Sequence, residues 1–336
     1  MELLRRRAYA RAGLMGNPSD GYHGKTLSFI LRDYFAEVVL YEWEDVEIVL
    51  AEEDRVRFRT IGELARDVDL HGYYGGIRLV KATIKTFAEF CRDRQPLHDR
   101  NFSIRYQTNI PRAVGLAGSS AIIVATMRAL IDFYGVSIPQ QVLPSLVLSV
   151  ETDQLGIAAG LQDRVVQVYG GVVFMDFAQD RMTLQQGLQC GVYEQLDPAL
   201  LPPLYVAFSE EAGEPTEVMH NNLRTRFDQG EPAVVSAMRE FAELAKQARD
   251  VLLAGRPAEL KPLIDQNFDL RQSICRLPSE HVRMVQTARK VGASAKFAGS
   301  GGAIVGVYDD PPMFAALCQE MEAIGCRVIQ PDIANL

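Results

Sequence analysis

Residues 102–134, "FSIRYQTNIPRAVGLAGSSAIIVATMRALIDFY", constrain the fold more than any other stretch. Phe102, Ile104, Tyr106, Thr108 and Ile110 alternate with polar neighbours, the period-two pattern of a half-buried strand. Pro111 closes that strand, and a loop of small residues follows. From Ala121 to Tyr134 the spacing changes to the helical one, with Val124, Met127, Leu130, Ile131 and Tyr134 as the apolar set. Ser119 and Ser120 fall at the expected helix start, where hydroxyls cap free N–H groups. Strand, glycine-rich loop and helix in this order make an anion cradle, because glycines allow backbone N–H groups to approach and the helix adds its positive end. The alternative for this loop is a tight turn with a serine cap.

The rest of the chain predicts helices, strands and one hinge. A helix is expected through "SLVLSVETDQ", interrupted at Gly156 and Gly160 and resumed from Asp163; "GGVVFMDF" reads as a buried strand. The three prolines of "LDPALLPPL", at 196–204, mark the expected hinge, giving domains at 1–198 and 199–336. Val234, Met238, Phe241, Ala245, Ala248 and Leu252 share one face of a helix. "KFAGSGGAIVGVYDD" reads as a glycine loop running into a strand. A helix over 312–324 and a strand at "CRVIQP" complete an α+β second domain. At 336 residues two domains are the default, since single cores rarely grow larger.

A net charge of −8 argues against a general nucleic-acid or anionic-membrane binder. No apolar run is long enough to span a bilayer, and Arg11 interrupts the only signal-like start. Five scattered cysteines without a C-x-x-C suit a reducing, cytoplasmic setting. The Arg5–Arg7 run reads first as a solvated face. One near-match misleads: "GNPSDGYHGKT" ends like a Walker A loop, but the first glycine of G-x-x-x-x-G-K-[ST] would fall at position 19, which is Ser19.

Two more features carry chemistry. Glu151 and Asp163 would lie about 120° apart on one continuous helix, but the glycines between them let both carboxylates turn toward a common point. One could hold Mg²⁺ and the other accept a hydroxyl proton; two ordinary charges flanking a loop are the alternative. "FAGSGGA", at 297–303, is no dinucleotide fingerprint, because Ile304 stands where the last glycine belongs. It reads either as a tight turn or as a backbone wall closing over a ligand.

Taken together, "PRAVGLAGSSA", the Glu151–Asp163 segment and "KFAGSGGA" resemble, in order, the three motifs of the GHMP small-molecule kinases. "ARAGLMGNPSDGYHGKT" occupies the place of that family's first motif. "RAYARAGLMGNPSDGY", "GYYGGIRLV" and "IPRAVGLAGSSA" are closer to the glucuronokinase branch, which phosphorylates D-glucuronate at its anomeric hydroxyl. The resemblance implies an N-terminal nucleotide-binding domain, a ferredoxin-like C-terminal domain, and ATP with Mg²⁺. The phosphate loop would be Pro111 with Gly115, Leu116, Ala117, Gly118, Ser119, Ser120 and Ala121. Ser120 and Glu151 would reach the metal, Asp163 would be the base, and Arg11 the cation beside the transferring phosphoryl group. Asn17, Asp20 and Tyr22 would face the sugar, while Gly299, Ser300, Gly301 and Gly302 would close the site.

Two departures matter. The loop has one residue more than the family's common G-L-G-S-S-A, which leaves Ser119 as an alternative to Ser120. Asn17 and Pro18 stand where galactokinases carry Glu-His. A uronate also needs a partner for its carboxylate, for which Arg78, Lys296 and the Arg5–Arg7 cluster are the candidates. The implied substrate is a small sugar acid, with no nucleic acid or membrane partner. A kinase for another uronate, hexose, heptose or inositol, or a non-catalytic sugar sensor of the same fold, are the alternatives.

Overall fold

The structure, a computed structural model, describes residues 3–49, 75–210 and 217–335. Residues 72–74 of "GYYGGIRLV" lie outside the described residues. The first sheet is built on a long hairpin of β1 (Leu3–Met15) and β2 (Lys25–Trp43), joined by a short 3₁₀ turn at Ser19–Tyr22. β2 also pairs antiparallel with β4 (Asn101–Thr108) and with β5 (Val172–Asp176). β3 (Glu47–Val49) runs parallel to β4 at one edge, and the order continues past β5, after a small hairpin of β6 (Thr183–Gln185) and β7 (Leu188–Cys190), to β8 (Val192–Leu196).

Helices α1 (Gly76–Cys91), α2 (Gly118–Tyr134), α3 (Leu143–Ser149) and α4 (Gln162–Tyr169) cover this sheet. α2 lies on β1 and β2. Ala8, Ala10 and Ala12 of β1 are fully buried, as are Ala121, Val124, Met127 and Leu130 of α2. Small strand residues let the helix approach closely, and each large apolar side chain so buried contributes about 1.5–3 kcal/mol.

The second sheet begins at β9 (Leu204–Ser209), after the prolines, and its chain order is strand, helices, two strands, helix, strand. The helices after β9 are α5 (Glu217–Asp228), α6 (Pro232–Leu253), α7 (Leu260–Ile274) and α8 (Ser279–Lys290). Then come β10 (Lys296–Phe297), β11 (Ala303–Val307), α9 (Pro311–Glu322) and β12 (Cys326–Ile329). The antiparallel order β10-β11-β9-β12 is that of a ferredoxin-like βαββαβ unit, as expected.

Strand β9 shows why the two halves hold together. Val206 and Phe208 join the core under the first sheet, while the alternate Tyr205 and Ala207 join a second core with Phe268, Met284, Val285 and Leu317. All six residues of the stripe on α6 are buried, and that helix packs on β2 of the first sheet. Among the described residues no helix is long and apolar enough to cross a membrane.

Candidate active site

Arg11 is the hub. It sits mid-strand in β1, only 6% exposed, and its guanidinium grips the Asp163 carboxylate through Nε–Oδ1 at 2.6 Å and Nη2–Oδ2 at 2.9 Å. Its Nη1 donates to the Gly115 carbonyl at 2.5 Å and to the Ala298 carbonyl at 3.3 Å. One side chain therefore ties together the base candidate, the loop before α2 and the second glycine cluster. The glycines make that closeness possible. A side chain on Gly299 would run into the Gly115 carbonyl and the Arg11 guanidinium; one on Gly115 would meet the Gly301 carbonyl at 2.8 Å.

The loop differs from a serine-capped turn. Ala117, left-handed at φ 63°, is the N-cap residue of α2, and no side chain caps the helix. The hydroxyls expected to cap are used elsewhere. Ser120 is fully buried and donates to the Ala117 carbonyl at 3.2 Å. Ser119 donates to Glu151 Oε1 at 3.0 Å. Ser119, not Ser120, is therefore the hydroxyl beside Glu151. Gln167 braces the loop by donating to the carbonyls of Ala117 and Tyr9, both at 2.9 Å. With its N-terminus uncapped by side chains, α2 presents N–H donors and the positive end of its dipole to an anion.

Glu151 and Asp163 do converge, through a residue that sequence reasoning missed. Arg164 holds Glu151 Oε2 with Nε at 2.8 Å and with Nη2, and its Nη1 lies 3.5 Å from Asp163 Oδ2. Glu151 is 1% exposed. An ion pair buried this deeply survives because each partner neutralises the other. The one available signal was a basic residue adjacent to the candidate base.

Asp20 faces this pair from the 3₁₀ turn. Its carboxylate accepts from the backbone N–H of Gln162 at 3.4 Å, and Gly160 lies close enough that a side chain there would strike it. Burial, and then the nearby Asp163 charge, push its pKa up from 3.8 to about 6.

The other expected sugar contacts fare differently. The Asn17 amide oxygen is taken by Lys296 Nζ at 2.6 Å, and its Nδ2 reaches the Phe297 and Gly299 carbonyls at 3.5 Å. It joins two segments of the chain. Tyr22 is buried edge-on against Phe227, with the Arg224 guanidinium 4.6 Å from its ring centroid. Its ring supports the turn that carries Asp20.

Of the cations considered for a carboxylate, Arg5 and Arg7 share Glu37, and Arg6 pairs with Asp132. They stand four to six residues along β1 from Arg11, roughly 13–20 Å away. Lys296 is fully buried, and its ammonium donates to Gly13 O, Asn17 Oδ1 and Phe297 O at 2.6–2.8 Å. Burial, with the Arg271 and Arg11 charges nearby, holds its pKa well below the usual lysine range. Arg78 occupies the first turn of α1. Lys25 begins β2 and pairs with Asp176 at 2.6 Å. The Gly-Lys-Thr sequence thus enters a strand, where a Walker A loop would enter a helix.

A model of the family described as GHMP kinases N terminal domain matches residues 78–171. The protein named Probable glucuronokinase 2 of Arabidopsis thaliana is 42% identical over 324 residues, covering 94% of this chain and 87% of that protein. Glucuronokinase 1 of the same plant is 41% identical over 325 residues, 94% of this chain and 88% of that one. Among solved structures, Lactococcus lactis galactokinase complexed with galactose superposes with a TM-score of 0.78 at 17% identity, covering 99% of this chain and 94% of that one. That last likeness is one of fold alone. Sharing about two residues in five with both plant proteins along nearly its whole length, the chain belongs to the GHMP kinases, in the branch that holds these glucuronokinases.

Proposed function

We propose that this protein is an ATP-dependent kinase that phosphorylates D-glucuronate on its anomeric hydroxyl, giving glucuronate 1-phosphate. The observation that carries the reading is the position of Arg11, bonded at once to Asp163, to Gly115 of the loop and to Ala298. A base, a cation and a phosphate cradle within one side chain's reach are what phosphoryl transfer needs, since its catalysis is mostly positioning and charge neutralisation.

In this reading the uncapped first turn of α2 and the backbone of Gly115–Ser120 receive the ATP phosphates. Asp163, oriented by Arg11 and Arg164, takes the proton of the anomeric hydroxyl. The hydroxyl oxygen bonds to the γ-phosphorus as the bond to the β–γ bridging oxygen breaks, and ADP leaves. Arg11 lies beside the charge that develops. Asp20, ionised at neutral pH, accepts a hydrogen bond from a sugar hydroxyl, and Gly299–Gly302 roof the sugar. Ser119 and Glu151 offer a hydroxyl and a carboxylate at the helix mouth. That pair fits Mg²⁺, which takes few protein ligands and fills its shell with water and phosphate. Bound there, Mg²⁺ would neutralise phosphate charge.

The domains divide, in this proposal, at 198/199, within the segment that leads from β8 to β9. The five free thiols suit a cytoplasmic enzyme. Asp163→Asn tests the reading. Turnover of glucuronate should fall by about 10²- to 10⁴-fold, with ATP binding kept. Near-normal turnover would remove Asp163 from the mechanism, and a product that still reduces copper would exclude the anomeric position.

A further inference from the structure

Among the described residues, the buried arginines at the site come with carboxylates, with one exception. Arg11 holds Asp163, Arg164 holds Glu151, and the partly exposed Arg226, Arg249 and Arg289 hold Glu231, Glu194 and Asp265. Arg271, on the last turn of α7, is only 4% exposed, yet has no acidic partner among the described residues. Its Nη1 donates to the Gly299 carbonyl at 2.7 Å and its Nη2 to the Ser300 carbonyl at 3.3 Å, while Nε finds no acceptor. The guanidinium lies 5.2 Å from the Phe297 ring centroid. Its cationic form is disfavoured, through burial first, and its charge also weighs on Lys296.

A desolvated cation without a counter-ion is costly, and an N–H donor left unpaired adds to the penalty. An incoming anion removes both. Position says which anion. The neighbours of Arg271 along the chain, Leu270, Ile274 and Cys275, pack in one cluster with Tyr22, on the turn that carries Asp20. The phosphate loop is served instead by Arg11 and the start of α2. Arg271 also holds the carbonyls of Gly299 and Ser300, in the loop that the kinase reading places over the sugar.

We propose that Arg271 binds the carboxylate of the sugar acid and makes the enzyme selective for uronates over neutral sugars. The proposal rests on the kinase reading for the location of the sugar. A planar fork with Nε and further Nη protons unspent suits a carboxylate better than the point charge of a lysine. Of the other cations named from sequence, Lys296 has its three donors engaged, and Arg5–Arg7 stand far along β1.

Calorimetric binding of glucuronate, glucuronamide and glucose to the full chain tests this, with the wild type and Arg271→Gln side by side. Wild type should bind glucuronate at least about tenfold more tightly than the two neutral sugars, since a site built for a charge is left with unpaired donors when it is missing. Arg271→Gln should erase that preference, weakening glucuronate by about 100-fold and the neutral sugars by less than about threefold. Parallel losses for all three ligands would overturn the proposal and leave Arg271 as a residue that only positions the 299–300 loop. A wild type without preference for the charged sugar would overturn it too. Should the glutamine variant not fold, Arg271→Lys decides: a smaller preference supports the proposal, and an unchanged one refutes it. Turnover is measured separately. A protein that binds glucuronate through Arg271 but does not phosphorylate it would refute the kinase reading and leave this one standing.

Discussion

Replacing Asp20 with asparagine should make the protein more stable and less active at once. Asp20 has a pKa of about 6 in the folded chain against 3.8 for a free side chain, chiefly through burial and secondly through Asp163. The folded-state value is the higher one, so the folded protein binds the extra proton between pH 3.8 and about 6. Below that window Asp20 costs nothing; the cost grows as pH rises through it and is complete above about 6. At about 1.4 kcal/mol per pH unit the penalty reaches about 3 kcal/mol at neutral pH and about 1 kcal/mol at pH 4.5. Asparagine has the same shape, can accept from the Gln162 amide, and carries no charge. For a chain of this length the gain corresponds to about 4 °C in Tm at pH 7.5, shrinking to about 1–2 °C at pH 4.5. Thermal unfolding without ligand at the two pH values measures it. In turnover the variant should lose about 10- to 100-fold in kcat/KM, the worth of one charged hydrogen bond to a sugar hydroxyl. Wild-type kcat/KM should itself fall as pH drops through about 6. An Asp20→Asn protein no more stable than wild type at pH 7.5, or a gain independent of pH, would refute the electrostatic account of this turn.

The remaining predictions concern the nucleotide side. Ser119→Ala should raise the Mg²⁺ concentration needed for half-maximal activity several-fold, because Ser119 stands beside Glu151. Ser120→Ala should leave that requirement alone and cost about 1 kcal/mol of stability, the value of one hydrogen bond; titrations with the ranking reversed would return the metal to Ser120. Lys25→Ala should change the KM for ATP by less than about threefold and cost no more than about 1 kcal/mol of stability, since its ion pair with Asp176 is partly solvated. A collapse of ATP affinity in that variant would reinstate the Walker A reading.

Much of this protein is legible without coordinates, for reasons of local physics. The alternation over 102–110 and the helical spacing after Ala121 are set by which side chains must leave water, and such patterns are periodic along the chain. β4, α2 and the stripe on α6 therefore lie where the sequence puts them. Order along the chain was also enough for the family, since four glycine- or carboxylate-bearing segments in one succession rarely recur by chance. Partners across the chain are another matter. Ser119 and Ser120 are neighbours with the same chemistry, and only the left-handed turn at Ala117 decides which hydroxyl meets Glu151. That Lys296, distant in sequence, bonds the amide oxygen of Asn17 is visible only in the folded chain. Arg164 and Arg271 have no motif, and their meaning comes from burial, which shows one arginine neutralised and the other not. Sequence by itself determined some of the elements, the family and the candidate carboxylates, because these follow from short-range pattern and composition, but it did not show the long hairpin of β1 and β2 that carries Arg11. Tertiary structure alone decided which charges are paired, since charge pairing depends on distance and dielectric, and the chain sets both only by folding distant segments together.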